Sequence, residues 1–383
     1  MSTKTKEIVE VYGKSKATEH YLSPSRRDGV KIAWEEPFSC MVYQKAIQKI
    51  GYKPGQSLRV IDVGCGTGDG IALLTNSLMK NSGFRLEDDI DYLGVDISQE
   101  MCDAATSLNI GRKNVRFAQG DVRQGLPNEN FDLYLSCGVP YSHLTSDELQ
   151  IALENIFTNI QRQNKQSVVL IDVLGRYSIE WISKWGKNRW DYRMNFFQSD
   201  GEADFTPMSF YSAEDLNHLI DQASANVNLK PKEVEFFDRS IMTGRHTSTA
   251  EFTPNLPRYR NLVNSLMSPD RTTDFEELVF KLDVDNAPEE ISNFFKNFSV
   301  YWNQLVAEAA QIAGKPISRG YINLPPEFQN FTFELQYLID KSSTRDIRAS
   351  VIEPTLAKYL QRLESSAQPG LGIGHTLMAL ISF

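Results

Sequence analysis

The sequence is poor in cysteine and has no long apolar run. Its four cysteines, Cys40, Cys65, Cys102 and Cys137, show no paired metal-ligand spacing, and so few in a chain of 383 residues suit a reducing compartment. The first residues lack the apolar core of a signal peptide, and the longest apolar runs fall short of a membrane span. We therefore expect a cytoplasmic protein with no metal site and no membrane partner.

Positive charge is also in deficit. Lysine and arginine together number 40 and the acids number 49, which gives a net charge of −9. A chain of this charge repels a phosphate backbone overall, so we expect no nucleic-acid partner. Apolar residues make up 41% of the chain, enough for a real core, and the length permits one large or two modest domains.

The most informative segment is 60–70, which reads Val-Ile-Asp-Val-Gly-Cys-Gly-Thr-Gly-Asp-Gly. It predicts a buried strand that runs into a turn with glycines at alternate positions, followed by a helix over 71–80. Gly64 and Gly66 permit backbone angles and a close approach that a Cβ would forbid, and Gly68 opens the helix. This strand, turn and helix arrangement is typical of sites for nucleoside-bearing ligands.

Acidic residues follow the next two predicted strands. Asp96 ends the strand over 91–96, where a carboxylate can accept hydrogen bonds from both hydroxyls of a ribose. Asp121 follows the strand over 114–118, where its carboxylate can accept a hydrogen bond from the amino group of an adenine. A nicotinamide dehydrogenase is the nearest alternative, but its G-x-G-x-x-G spacing is absent here, and Asp96 lies further along than the about 20 residues usual there.

These motifs resemble those of the class I S-adenosylmethionine-dependent methyltransferases. The run over 62–68 is similar to the first motif of that family, and the resemblance covers roughly residues 55–175. It implies S-adenosylmethionine (SAM) as cofactor and S-adenosylhomocysteine (SAH) as product. The cofactor-binding residues that it implies are Asp62, Gly64, Cys65, Gly66, Gly68, Asp96, Ile97, Asp121, Val122, Ser136 and Cys137.

Strands and helices alternate through the first part of the chain. We predict strands over 58–63, 91–96, 114–118, 131–136, 167–173 and 231–241. This alternation indicates an α/β fold, a Rossmann-like mostly parallel sheet with helices on both faces. The predicted organisation is an N-terminal helical segment over 1–50 that covers the cofactor pocket, a SAM-binding domain over 51–250, and a mainly helical cap or dimerisation region over 251–383. The glycine-rich stretch from Gly370 is predicted to be a loop before a terminal apolar segment.

Aromatic residues concentrate in the segment 176–211. We interpret this segment as a lid over the substrate, with Trp181 and Trp185 as substrate-binding residues. The alternative is that these rings pack against the C-terminal half of the chain.

The resemblance implies that the turn after the fourth predicted strand faces the transferred methyl group. His143 is the predicted general base because its unperturbed pKa lies near neutrality, and Tyr141 is predicted to orient the acceptor. A helix-capping or core histidine is the alternative for His143.

A second polar cluster contains Arg239, Arg245, His246, Arg258 and Arg260. Converging arginines can hold a carboxylate or a phosphate of the acceptor, so we predict that Arg245 and His246 bind substrate. Solvated or ion-paired arginines are the alternative, and His246 is a second candidate base.

The resemblance implies a methyltransferase that acts on an O or N atom of a small molecule, with natural-product metabolism as the setting. Two other functions stay open: carboxyl or amine methylation of a peptide, and a non-catalytic SAM-binding module. In the module, the helical half would form a surface for a homodimer or another partner.

Overall fold

A computed structural model shows the architecture of most of the chain. It describes residues 23, 26–194, 204–244, 252–253, 255–269, 273–282, 287–317 and 322–383. Arg245 and His246, like most of the segment before residue 26, lie outside the described residues. Within the described residues, no helix combines the length and the apolar character needed to cross a membrane.

Nine strands are present in the described part of the chain. They are β1 (Leu58–Val63), β2 (Ile90–Asp96), β3 (Val115–Gln119), β4 (Leu133–Leu135), β5 (Val168–Gly175), β6 (Arg189–Met194), β7 (Asp204–Tyr211), β8 (Glu233–Arg239) and β9 (Thr376–Ser382). The first five form a parallel sheet in the order β3-β2-β1-β4-β5. This confirms the predicted α/β fold with a mostly parallel sheet.

The α-helices of the described residues fall into two groups. Those of the sheet domain are α1 (Glu36–Ile50), α2 (Asp69–Leu74), α3 (Ser77–Asn81), α4 (Gln99–Leu108), α5 (Ser146–Gln163) and α6 (Ala213–Val227). Those of the C-terminal half are α7 (Tyr259–Leu266), α8 (Phe275–Leu278), α9 (Glu289–Ile312), α10 (Phe331–Lys341) and α11 (Glu353–Ser366). Shorter helical turns lie at Lys31–Glu35, Val122–Gln124, Pro140–His143, Ile179–Lys184, Pro326–Phe328 and Arg348–Ile352.

Helices cover both faces of the sheet. Leu153 of α5 and Ile220 of α6 pack in one apolar cluster with the strands, while Tyr43 of α1 and Ile71 of α2 pack in another. Because both faces are covered, the central strands are mostly apolar and do not alternate strictly between apolar and polar residues. Thr145 is the N-cap of helix α5, and its side chain and that of Glu148 form a capping box.

The C-terminal end of the chain completes the sheet. Strand β9 lies between β5 and β8 and is antiparallel to both, and all of its residues are buried. The mainly helical region predicted over 251–383 therefore ends before residue 376, because an apolar strand at this position fills the gap beside β5. Gly370 and its neighbours form the expected loop, but this loop wraps around Asp238 at the end of β8.

The aromatic segment forms a hairpin rather than an open lid. Strands β6 and β7 pair antiparallel, and the end of β7 joins β5 in parallel. Trp190 stacks on Phe210 with ring centroids 4.3 Å apart, and both belong to a core shared with the C-terminal helices. The rings of α9 also belong to this core, where Trp302 is fully buried. The buried rings of the segment 176–211 thus pack against the C-terminal half of the chain, which is the alternative to a lid.

Candidate active site

One cavity lies at the carboxyl ends of β1, β2, β3 and β4, which is where ligands bind in open α/β sheets. Three parts of its lining differ in origin. We call residues 63–67, 95–97 and 120–123 the glycine wall, and residues 137–144 the β4 turn. We call Lys31, Glu35, Arg239, Ser240, His375 and Thr376 the polar wall.

The glycine wall combines bare backbone with a fixed carboxylate. The Asp96 carboxylate accepts the Gly66 N–H through Oδ2 and the Ser98 N–H through Oδ1, both at 2.9 Å. Gly66 has φ +51°, and a Cβ there would meet only open space. A carboxylate oxygen has a second lone pair, so Asp96 can still accept two hydroxyl groups. This combination fits a nucleoside whose ribose hydroxyls reach Asp96.

Burial and hydrogen bonding set the charge of the two acids in this wall. Burial raises the pKa of Asp96, and the N–H groups that it accepts oppose that shift. Burial also favours a higher pKa for Asp121, but the hydrogen bonds and charge of Arg123 outweigh it and lower this pKa. Asp121 accepts the Arg123 Nε–H at 2.9 Å. Asp121 lines the cavity and Arg123 fixes its carboxylate, while the adenine contact stays a prediction.

Three residues predicted to bind cofactor lie behind the wall. Asp62 is fully buried, accepts the Tyr92 hydroxyl and has its pKa raised to about 8 by burial. Ser136 accepts the Asp172 N–H at 2.9 Å in the core. Gly68 has φ +94° and donates its N–H to Cys65 at 2.9 Å. None of the three lines the cavity among the described residues, because each one's contacts shape the strand ends instead.

The other predicted cofactor residues reach the cavity. Gly64, Cys65, Gly66, Asp96, Ile97, Asp121, Val122 and Cys137 all line it. Gly64 packs so closely on Pro140 that a Cβ would come within 2.3 Å of the proline Cβ. The glycine turn and the β4 turn therefore pack directly against each other, and Cys137 and Gly138 of the β4 turn line the same cavity as Gly66.

Both predicted catalytic residues lie in the β4 turn and line the cavity. Tyr141 is buried, and burial raises the pKa of its hydroxyl. Burial, helped by the positive charge of Arg189, lowers the pKa of His143 to about 4. Arg189 also donates to the carbonyl oxygen of Leu144 at 3.1 Å, which holds the guanidinium beside the turn. His143 is thus neutral at pH 7 and is a weak base.

The structure places the two tryptophans predicted to contact substrate away from the cavity. Trp181 and Trp185 lie in the apolar core, and neither lines the cavity. Trp181 donates its Nε1–H to the Gly175 carbonyl at 3.0 Å, and Trp185 donates to Ser178 at 2.8 Å. Backbone acceptors and ring packing therefore account for both side chains.

Two arginines of the second polar cluster, Arg239 and Arg260, form ion pairs. Arg239 donates to Asp172 at 2.8 Å and to the Ser39 hydroxyl at 2.8 Å. Burial alone would lower the pKa of Arg239, but the Asp172 and Glu35 carboxylates raise it. Arg260 binds Asp28 at 2.7 Å and Glu35 at 2.6 Å.

Sequence reasoning missed several cavity residues. Arg26 and Asp69 form an ion pair at the cavity, and Lys31 and Glu35 reach it from the turn before α1. His375, in the loop before β9, lines the cavity and its Nδ1 hydrogen-bonds Glu180. The only hint of the His375–Glu180 pair in the sequence is the glycine-rich stretch that ends at His375. No local pattern connects that stretch with the strand ends that line the cavity.

The sheet order and the cavity position define an α/β protein with a candidate ligand site where its parallel strands end. Residues 60–163 match a family model described as a methyltransferase domain. This part of the chain is thus similar to methyltransferase domains, which confirms the resemblance based on residues 62–68, Asp96 and Asp121. No curated protein matches the chain.

Solved structures of similar fold include three methyltransferases. A SAM-dependent methyltransferase from Clostridium acetobutylicum is 18% identical, covers 60% of this chain and 89% of its own, and has a TM-score of 0.36. SAM-bound CalS10, an amino pentose methyltransferase from Micromonospora echinaspora, is 14% identical, covers 60% of this chain and 91% of its own, and has a TM-score of 0.36. The DhpI–SAH complex is 16% identical, covers 58% of this chain and 89% of its own, and has a TM-score of 0.38. These scores are too low to carry an argument about substrate.

Proposed function

We propose that this protein is a SAM-dependent methyltransferase that acts on an O or N atom of a small molecule. The observation that carries the proposal is the glycine wall, where the open backbone of Gly66 lies beside the Asp96 carboxylate at the strand ends. The methyltransferase-domain match over 60–163 supports the same ligand class.

The residues of the cavity suit the parts of SAM. Asp96 would accept the ribose hydroxyls, and Asp121 would lie near the adenine. Gly66 and Gly138 line the cavity from the glycine wall and the β4 turn, and a Cβ at either would meet only open space. SAM supplies an electrophilic methyl group on a positively charged sulfur. The chain supplies alignment, which alone accounts for a large share of the rate in reactions of this kind.

The polar wall supports a polar acceptor. Arg239, Ser240, His375 and Thr376 line the cavity, and the Thr376 hydroxyl is buried without a hydrogen-bond partner among the described residues. A buried hydroxyl of this kind gains from a ligand that can hydrogen-bond to it. We therefore propose an acceptor with hydrogen-bonding groups, in place of the apolar acceptor that a tryptophan-lined lid would favour.

The layout of the cavity favours a small acceptor over a peptide. Among the described residues, its lining comes from the segment before α1, from the carboxyl ends of the strands and from the start of β9. The space beside the β4 turn is therefore bounded by several parts of the chain. Natural-product metabolism is the setting that we propose, by analogy with methyltransferases that carry large caps.

Calorimetry with the full-length protein tests this function. We expect titration with SAM and with SAH to give saturable heat at one site per chain, and titration with NAD⁺ to give none. Release of SAH in a screen of hydroxyl- and amine-bearing small molecules would then identify acceptors. Binding of NAD⁺ but not of SAM would contradict the proposal. Binding of SAM without turnover of any acceptor class would favour the non-catalytic module.

A further inference from the structure

The segment that leads into α1 lies between the cavity and the C-terminal helices. We call residues 26–35 the leading segment. Three of its side chains, Arg26, Lys31 and Glu35, line the cavity. On its other side, Val30 is fully buried in one apolar cluster with residues of α7. The leading segment therefore connects the C-terminal half of the chain with the ligand site.

Arg260 of α7 binds the leading segment at two points. Its Nε and Nη2 donate to the two oxygens of the Asp28 carboxylate, both at 2.7 Å, and Nη1 donates to Glu35 at 2.6 Å. Nη1 also donates to the Thr243 carbonyl at 3.0 Å. A planar guanidinium binds a carboxylate through two parallel hydrogen bonds, so it fixes orientation as well as charge, which an ammonium group does not.

Asn264 lies one turn after Arg260 on α7 and adds two contacts. Its Nδ2 donates to Asp28 and its Oδ1 accepts the Val30 N–H, both at 2.9 Å. A Cβ at Gly29 would come within 3.1 Å of the same Oδ1, so the backbone packs directly on this side chain. The two α7 side chains thus fix the backbone of the leading segment as well as its carboxylates.

Another ion pair of the leading segment lies in the cavity. Arg26 donates to Asp69, the first residue of α2, and both residues line the cavity. Arg26 is only two residues before Asp28, so the contacts between Arg260 and Asp28 limit where the Arg26 side chain can reach. The α7 contacts therefore bear on the place of Arg26 in the cavity.

The order of the strands indicates which part of SAM this pair would meet. Asp96 ends β2 and Asp121 follows β3, so the nucleoside would lie over that side of the sheet. Strand β1 lies on the other side of β2, and the helix that starts with Asp69 follows β1. The remainder of SAM should therefore extend towards Arg26 and Asp69. Its amino-acid end carries a carboxylate and an ammonium group, which an arginine and an aspartate complement in charge.

We propose that Arg260 is a positioning residue of the cofactor site. Its grip on Asp28 keeps Arg26 at the start of α2, where Arg26 and Asp69 bind the charged amino-acid end of SAM or SAH. This assignment rests on the proposed function. It gives the C-terminal half a part in cofactor binding through a residue that is not among those that line the cavity in the described part of the chain.

A double-mutant cycle in SAH affinity tests this route of action. Calorimetry with the full-length protein would compare Arg26→Met, Arg260→Met and the double variant. We expect SAH affinity to fall by about tenfold in Arg26→Met and by about fivefold in Arg260→Met, since a charged hydrogen bond to the ligand is lost or misplaced. The double variant should lose about tenfold, because Arg260 acts through Arg26, whereas independent contributions would multiply to about fiftyfold.

Methylthioadenosine (MTA) provides a readout that a general loss of structure would not imitate. MTA has the nucleoside and the sulfur of SAH but no amino-acid end. We expect Arg260→Met to bind MTA like the wild type while its SAH affinity falls. The control is Arg345→Met, which changes an exposed arginine of the same half of the chain and should bind both compounds like the wild type.

Two milder variants keep the test decisive if Arg260→Met does not fold, since that change removes a partner of the buried Glu35 carboxylate. Arg260→Lys keeps the positive charge without the paired hydrogen bonds. Asn264→Ala removes the contacts to Asp28 and to the backbone. We expect each to lower SAH affinity by about twofold to threefold and to leave MTA affinity unchanged.

The outcomes separate this assignment from the function on which it rests. Wild-type SAH affinity in Arg260→Met, or in both milder variants if Arg260→Met does not fold, would overturn the role of Arg260. So would an equal loss of MTA affinity, or a double variant whose loss is the product of the single losses. If the wild type binds SAH but MTA too weakly to measure, the cycle decides alone. Absence of SAH and SAM binding by the wild type would contradict the proposed function itself.

Discussion

The glycine wall and the polar wall face the same cavity but are built in different ways. The glycine wall comes from three successive strand ends within residues 63–123, and its key contact joins Gly66 to Asp96 at 2.9 Å. The polar wall joins residues from both ends of the sequence, such as Glu35 and Thr376. The first wall is a local consequence of the β–α–β order, whereas the second exists only when the C-terminal strand is in place.

The largest expected effect tests how the polar wall is held. Asp238 accepts the backbone N–H groups of Leu371, Gly372, Ile373 and Gly374 at 2.8 to 3.1 Å, just before His375. Asp238→Ala leaves these buried donors without their acceptor, so we expect the free energy of unfolding to fall by about 4 kcal/mol or more. Urea denaturation measures this loss.

An exposed acid provides the control for this change. Asp221 lies on the outer surface of α6, so Asp221→Ala should alter the free energy of unfolding by no more than about 0.5 kcal/mol. Equal, small effects of the two substitutions would mean that the loop before β9 is held by something other than Asp238.

The glycine wall should respond in ligand affinity rather than in stability. Asp96→Asn keeps an acceptor for one N–H but removes the charge that binds the ribose hydroxyls. We expect the SAH affinity measured by calorimetry to fall by about 10- to 100-fold, as for the loss of a charged hydrogen bond. Asp221→Asn is the matched control and should bind SAH like the wild type. Unchanged SAH affinity in Asp96→Asn would refute the ribose assignment.

Between the walls, His143 should make stability depend on pH. Its pKa of about 4 in the folded protein lies below the usual 6.5, so the unfolded chain takes up the proton first as pH falls. Stability is therefore lost between about pH 6.5 and pH 4, by about 2 kcal/mol from pH 7 to pH 5. His143→Asn should lack this contribution in urea denaturation at the two pH values. An equal pH dependence in both proteins would contradict the burial of a neutral His143.

The smallest effect concerns the aromatic hairpin behind the polar wall. Trp185 stacks on Phe295 with centroids 6.2 Å apart and donates to the Ser178 carbonyl. Trp185→Phe should cost about 1 to 2 kcal/mol in the free energy of unfolding, since a hydrogen bond and some packing are lost. SAH affinity should stay within error of the wild type. A loss of affinity without a loss of stability would return Trp185 to the ligand site.

The contrast between the walls also explains what the sequence could predict. The strand ends at Val63 and Asp96 can be predicted from local patterns of apolar residues, glycines and acids. The order of these glycines and acids along the chain also predicts a nucleoside site at the strand ends. These features depend on neighbours within a few residues, so one sequence suffices to find them.

Long-range pairing was out of reach. Strand β9 reads as an apolar tail because nothing near it in sequence indicates that it inserts beside β5, more than 200 residues earlier. Its placement brings His375 to Glu180, and neither residue belongs to a local motif. We predicted Trp181 and Trp185 as substrate contacts because a cluster of rings in one segment does not reveal which of them pack into the core.

The most direct test of the central claim is a crystal structure of the full-length protein with SAH. The account predicts ribose hydroxyls on Asp96, adenine near Asp121, and the sulfur facing Cys137 and Gly138, on the side of the cavity that the polar wall lines. SAH bound away from the glycine wall, or a sulfur that faces away from the polar wall, would contradict it.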